Sequence, residues 1–275
     1  MGEPKTQRPK VTVRTLLDMK KRGEKIVVLT AYDHPTARLE DEAGVEVILV
    51  GDSVGNVVLG YETTIPVTVD EMVHHLKAVT RARPQALVVG DLPFMSYQAA
   101  PEDAVRSAGR LVKEGGAEAV KVEGARRIEA PVRAIIDAAI PVMGHVGLTP
   151  QSVNQFGGYR VQGREAPDGE RVLDDARFLE EAGCFALVVE GVPWQLAQRI
   201  TAAVGIPTIG IGAGPHCDGQ VLVVNDLLGI DARFTPRFVK RYAEVGATMS
   251  RAFAEFASDV KAGKFPDIDH SYSSD

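Results

Sequence analysis

Residues 101–123, PEDAVRSAGRLVKEGGAEAVKVE, contain one complete structural unit. Pro101 and the acids Glu102 and Asp103 suit the first turn of a helix, where free amides and the helix dipole favour negative charge. The helical spacing runs on to Glu114, and Gly115-Gly116 then supplies the left-handed residue at which helices end. A short strand-like run from Ala117 follows and finishes in Lys121 and Glu123. Helix, glycine, strand and ionisable end recur in this order along the chain.

Working outward, strand-like runs occupy residues 26–30, 45–50, 86–91, 117–123, 140–145, 185–190, 206–211 and 221–224. Between them lie amphipathic segments such as 69–83, where Val69, Met72, Val73, Leu76 and Val79 recur at three- and four-residue steps. Runs such as VILV and ALVV lack in-out alternation, as parallel strands do when helices cover the sheet. Eight units in 275 residues is about 34 residues each, the arithmetic of a (β/α)8 TIM barrel. An open doubly wound sheet also accommodates alternating units. No Pro/Ser-rich linker or charge run divides the chain, so residues 1–275 are expected to form a single α/β domain. A helix over 12–21 is expected to cap the barrel floor, and a long helix over 237–262 to close the chain. The connections at 51–66 and 146–169 are long, glycine-rich and polar, which places the site at the C-terminal face of the barrel.

Composition narrows the partners. The 31 Lys+Arg against 37 Asp+Glu give a net charge of −6 with the signs interspersed, so no basic stripe offers itself to nucleic acid or to a membrane surface. The longest apolar runs fall far below the roughly 18 residues of a membrane span, and the polar start MGEPKTQRPK does not read as a signal peptide. A cytoplasmic protein acting on a small molecule is expected. The two cysteines, Cys184 and Cys217, have no neighbouring Cys for a zinc or redox motif and read as small buried hydrophobes.

Asp33, Asp52, Ser53, Asp91, Lys121, Glu123, His145 and Glu190 each close or nearly close an apolar strand. Lys121 and Glu123, two apart, point to the same side. Any one of these alone could be a helix cap or a solvated turn residue, but barrel geometry converges the set on one rim. Asp52, Asp91 and Glu123 then form a hard oxygen site suited to Mg2+, whose charge relieves their repulsion. Zinc fits less well, since His145 is the only histidine at a strand end. The run GIGAGP at 210–215 reads as tight turns rather than a dinucleotide loop, because Pro215 opens no helix. Adjacent His74 and His75 diverge on a helix and do not read as a metal pair, and Trp194 is expected to pack beneath a helix.

The blocks TAYDHPTA, VGDSVGNVVLGY, VGDLPFMSY, AVKVEG, PVMGHVGLTPQSVNQFGGYRVQGR, LVVEGVP and IPTIGIGAGPHCDGQVLVVNDLLG occur in this order. Together they resemble the ketopantoate hydroxymethyltransferase family, over residues 11–262. The resemblance implies a (β/α)8 barrel of the phosphoenolpyruvate/pyruvate-type superfamily. It implies one-carbon transfer from 5,10-methylenetetrahydrofolate to 3-methyl-2-oxobutanoate, giving 2-dehydropantoate on the way to pantothenate. By the same resemblance, Asp52, Asp91 and Glu123 match the Mg2+ positions, and Asp52, Ser53, Asp91 and Lys121 match the oxoacid-binding positions with His145 beside them. Glu190 matches the proton acceptor. Homo-oligomers, often decamers, are implied as well. Departures are confined to Ala125, where glycine is common, and to Pro215-His216-Cys217. Lyases of the same superfamily resemble one another in a Cys on a mobile loop in a K-C-G-H context, which neither Cys184 nor Cys217 reproduces.

Overall fold

The structure is a computed structural model that describes residues 8–231 and 236–274, so residues 1–7 of the polar start lie outside it. The chain divides into two compact units, Met1–Val223 and Val224–Asp275.

In the first unit eight parallel strands pair in chain order. They are β1 (Ile26–Thr30), β2 (Val47–Val50), β3 (Leu87–Asp91), β4 (Ala119–Lys121), β5 (Val142–Gly147), β6 (Ala186–Glu190), β7 (Thr208–Ile211) and β8 (Gly219–Leu222). β8 pairs back onto β1, which closes the barrel. The barrel is therefore complete by Leu222.

The inward columns explain how a floor and a mouth arise from one strand. Leu87 and Val89 precede Asp91, Ala119 precedes Lys121, Met143 precedes His145, and Ala186 and Val188 precede Glu190, each two residues apart and so on one side of its strand. The apolar members pack in one buried cluster with Val28, Val47, Leu49, Ile209 and Val221. The ionisable members stand at the C-terminal ends. Val11, Leu16 and Met19 join the same cluster from below. The last two bracket the buried face of a helix, Val13–Arg22, which opens with a Thr12–Thr15 capping box. Lys20 of that helix pairs with Asp218 just before β8 at 2.8 Å.

Outside the barrel the helical stripes bury as expected. In Val69–Thr80, capped by Thr68 and Glu71, the residues Met72, Val73, Leu76 and Val79 are buried. β8 begins two residues before the expected 221, because Gly219 sits against β1. A Cβ there would lie 2.3 Å from the Ile26 carbonyl oxygen, so a glycine that reads as a strand breaker is required for closure.

In the second unit the long helix spans Val245–Lys261 rather than 237–262. The amides of Tyr242 and Val245 bond instead to the carbonyls of Leu227 and Leu228, at 2.8 and 2.9 Å, so the backbone before Val245 is committed to a non-helical path.

The helix His34–Glu42 carries a buried acid on its inner face. Glu40 is 5% exposed and neither of its carboxylate oxygens has a hydrogen-bond partner. Burial, helped by Asp33, pushes its carboxyl up to about 8. Below pH 4.5 the group is protonated in both the folded and the unfolded chain, and between pH 4.5 and 8 only the unfolded chain releases the proton. Stability is therefore lost as pH rises through that window. Glu40→Leu is expected to abolish this slope and to gain on the order of 3 kcal/mol over the unaltered protein at pH 9 relative to pH 5, read from urea denaturation at both values.

Candidate active site

At the C-terminal end of the barrel Asp52, Asp91, Lys121, Glu123, His145 and Gln151 are buried, none more than 4% exposed. Each is delivered by the strand before it. The register sets Asp91 directly beside Lys121, and Lys121 Nζ donates to both Asp91 oxygens at 2.8 and 2.9 Å. Its third reach is to Glu123 Oε1 at 3.4 Å. The Asp52 amide donates to Asp91 Oδ2 at 3.2 Å. His145 lies between two acids, its Nδ1 3.4 Å from Glu123 Oε1 and its Nε2 3.3 Å from Glu190 Oε2. These approaches are close enough for charge pairing, although neither is aligned as a hydrogen bond.

Asp52, Asp91 and Glu123 each offer an oxygen, and the three lie within 4.8 Å of one another. Burial, then the neighbouring Asp91 and Glu123, pushes the Asp52 carboxyl well above the ordinary range. Burial likewise raises Asp91 against the pull of Lys121. Burial alone would raise Glu123, but Lys121 and His145 hold it down to about 2. Burial alone would lower His145, but Glu123 lifts it to about 9. With all groups ionised, four carboxylates (Glu190 included) face two cations, Lys121 and His145. The excess of negative charge is what one divalent cation balances, and an all-oxygen donor set suits Mg2+. The residues fit such an ion.

Ser53 stands at the edge of this group, its Oγ 2.9 Å from the Tyr32 hydroxyl. Asp33 does not belong to it. It is exposed and caps the helix His34–Glu42 by accepting from the Thr36 amide at 2.9 Å. Glu190 approaches the group through His145, which lies between it and Glu123. Trp194 does not pack beneath a helix. It is 48% exposed, and its ring tilts over His216 at 5.3 Å. His75 Nδ1 is 2.8 Å from the Tyr32 carbonyl, consistent with a structural role. Both cysteines are buried and form no disulfide, Cys217 with its side chain turned inward from the connection between β7 and β8.

Two residues of the site carry no strand-end signal. Gln151, in the turn Pro150–Ser152, donates from its amide nitrogen to Glu123 and from its side chain to Asp52, and Tyr97, after β3, bonds to both Gln151 and Glu123. In sequence they look like any polar loop residue. Cavities of about 640 Å³ and about 390 Å³ adjoin the group, the first beside His145 and lined in part by Arg126, Arg127 and Phe156, the second beside Glu123 and Gln151.

Gly147 makes the placement of Glu190 sensitive to one atom. Its φ is +92°, and a Cβ there would lie 2.2 Å from the Glu190 carbonyl oxygen, across the β5–β6 pairing. Gly147→Ala is expected to destabilise the protein by at least ~2 kcal/mol, read from its denaturation midpoint, with activity falling further than stability.

A model of the ketopantoate hydroxymethyltransferase family matches residues 10–268. The chain is 60% identical over 266 residues to 3-methyl-2-oxobutanoate hydroxymethyltransferase of Moorella thermoacetica, covering 97% of this chain and 99% of that one. Among solved structures it is similar to 2,3-dimethylmalate lyase, a PEP mutase/isocitrate lyase superfamily member, with a TM-score of 0.60 and 16% identity over 94% of this chain and 91% of that one. It is also similar to phosphonopyruvate hydrolase in complex with oxalate and Mg2+, with a TM-score of 0.60 and 13% identity over 95% and 91%. At such identities the likeness to the solved structures is one of fold.

Proposed function

The chain belongs to the ketopantoate hydroxymethyltransferase family, and from that premise we propose that it transfers a hydroxymethyl group from 5,10-methylenetetrahydrofolate to 3-methyl-2-oxobutanoate, giving 2-dehydropantoate and tetrahydrofolate. The observation that carries this reading is a carboxylate, Glu190, that stands outside the metal-type cluster yet joins it through His145. A site that only bound an oxoacid needs no such spare base.

Asp52, Asp91 and Glu123 would hold Mg2+. When bound, the ion supplies Lewis-acid stabilisation of the charge that develops on the oxoacid's keto oxygen. Glu190 takes the proton from C3, and the electron pair it leaves forms the enolate. Lys121, fixed by Asp91, keeps a positive charge beside that oxygen. His145 orients Glu190, and Ser53, held by Tyr32, completes the oxoacid's surroundings. C3 then attacks the methylene carbon of the folate, forming the new C–C bond as one of that carbon's two C–N bonds breaks. A water then displaces the second nitrogen and supplies the hydroxyl, and the proton held by Glu190 and one from the water go to the two folate nitrogens. The adjoining cavities support a second, larger reactant beside the first.

We further propose that the protein works in the cytoplasm as a homo-oligomer, a decamer by family resemblance. Among the described residues no helix is long and apolar enough to cross a membrane. The exposed Met249, Phe253, Phe256 and Val260 on Val245–Lys261 support subunit contact, and light scattering at the mass of one chain would contradict it.

The proposal is tested without folate, by incubating 3-methyl-2-oxobutanoate with the enzyme and Mg2+ in D2O and following the C3 proton by NMR. Exchange that EDTA stops supports the enolate chemistry. Cleavage of the oxoacid with no exchange would favour a lyase instead.

A further inference from the structure

Gln151 makes five hydrogen bonds at the base of the long loop after β5, and all of them lie within or against the carboxylate cluster. Its backbone amide donates to Glu123 Oε2 at 2.9 Å, and its Nε2 donates to Asp52 Oδ2 and to the Leu92 carbonyl, both at 2.9 Å. Its Oε1 accepts from the Tyr97 hydroxyl at 2.8 Å and from Gln98 Nε2 at 3.0 Å. The amide orientation is not arbitrary, since the Leu92 carbonyl can only accept and the side-chain nitrogen must face it. The residue is 4% exposed and bears no charge. One neutral side chain and its own backbone thus occupy one oxygen of Asp52 and one of Glu123.

We propose that Gln151 is a positioning residue for the divalent cation, fixing the rotamers of Asp52 and Glu123 so that their remaining oxygens are presented to the ion. This rests on the metal reading given above. The physical case is one of preorganisation. Buried like charges splay apart unless neutral donors hold them, and Asp52 receives no side-chain hydrogen bond among the described residues except from Gln151. Tyr97 keeps the amide from turning, because its hydroxyl also accepts from the Glu123 amide at 2.9 Å and is 0% exposed. Gln151 also ties the loop after β5 to residues that arrive from β2 and β4, so an ion bound at the cluster stiffens the root of that loop.

The test is Mg2+ binding to the full-length protein by calorimetry, without substrate, for the unaltered chain, Gln151→Met and Tyr97→Phe. Gln151→Met keeps the volume and removes the side-chain bonds. It is expected to weaken Mg2+ binding by about 10- to 100-fold, with a melting temperature in EDTA close to that of the unaltered protein. Its activity is expected to return as Mg2+ is raised, a rescue that a purely structural role would not show. Tyr97→Phe is expected to weaken binding in the same direction and to a smaller extent, and it decides the matter if Gln151→Met does not fold. A folded variant whose Mg2+ affinity stays within about twofold of the unaltered protein's overturns the inference and leaves the metal reading standing. An unaltered protein that takes up no Mg2+ overturns both.

Discussion

Glu190→Gln is expected to bind 3-methyl-2-oxobutanoate as the unaltered enzyme does, yet to exchange its C3 hydrogen with solvent about 10²- to 10⁴-fold more slowly, the usual worth of a positioned general base. The substitution keeps the shape and the bond-forming edge of the side chain and removes only its ability to take a proton. Binding is spared because Glu190 is not among the three carboxylates whose oxygens lie within 4.8 Å of one another. The alternative base closest at hand is His145, whose Nε2 is 3.3 Å from Glu190 Oε2. In the unaltered protein Glu123, helped by Glu190, lifts His145 to about 9, so at pH 7 it already carries its proton and cannot take another. Exchange at the unaltered rate in Glu190→Gln, followed by NMR in D2O, would move the base to another group.

Asp91→Asn carries the second large effect. Asp91 is 2% exposed, receives both strong bonds of Lys121, and holds the backbone of Asp52. Asparagine removes one of the three charges that attract the ion, so Mg2+ affinity is expected to fall by more than the roughly 10- to 100-fold that an outer partner costs, and turnover with it. Stability should change less. Breaking a buried pair outright costs about 3–5 kcal/mol, but Lys121 keeps Glu123, and the repulsion that raises Asp52 is relieved. A net loss of about 1–2 kcal/mol in EDTA is expected, against near-complete loss of Mg2+-dependent activity. Full activity in EDTA, for the unaltered chain or the variant, would remove the metal from the account.

The barrel was legible because its strands obey a simple rule, an apolar inward column ending in an ionisable residue, which can be read at 87–91, 119–123, 143–145 and 186–190 without knowing any contact. That rule covers Asp91, Lys121, Glu123, His145 and Glu190, while Asp52, out of step with the inward Val47 and Leu49, was found by its place at a strand end alone, since in a closed parallel barrel all strand ends share one face. It failed where contact rather than period decides. Asp33 also follows an apolar strand but turns outward to cap a helix, and β8 hides behind a glycine that pairing with Ile26 demands. The stretch before Val245 has helical composition, yet its amides bond to Leu227 and Leu228. Trp194 stands half exposed over His216, a partner that no periodic pattern announces. Gln151 and Tyr97 were invisible for a related reason. Their importance lies in which carboxylate each hydrogen bond reaches, and no local pattern encodes that.

The central claim is that this barrel joins a one-carbon unit to an oxoacid enolate at the Asp52, Asp91 and Glu123 site with Glu190 as base. It is tested most directly by measuring 2-dehydropantoate formed from 3-methyl-2-oxobutanoate, with and without Mg2+ and with and without 5,10-methylenetetrahydrofolate. Product is predicted only when both are present. No product in the complete mixture, or product undiminished in EDTA or without the folate, would contradict the account.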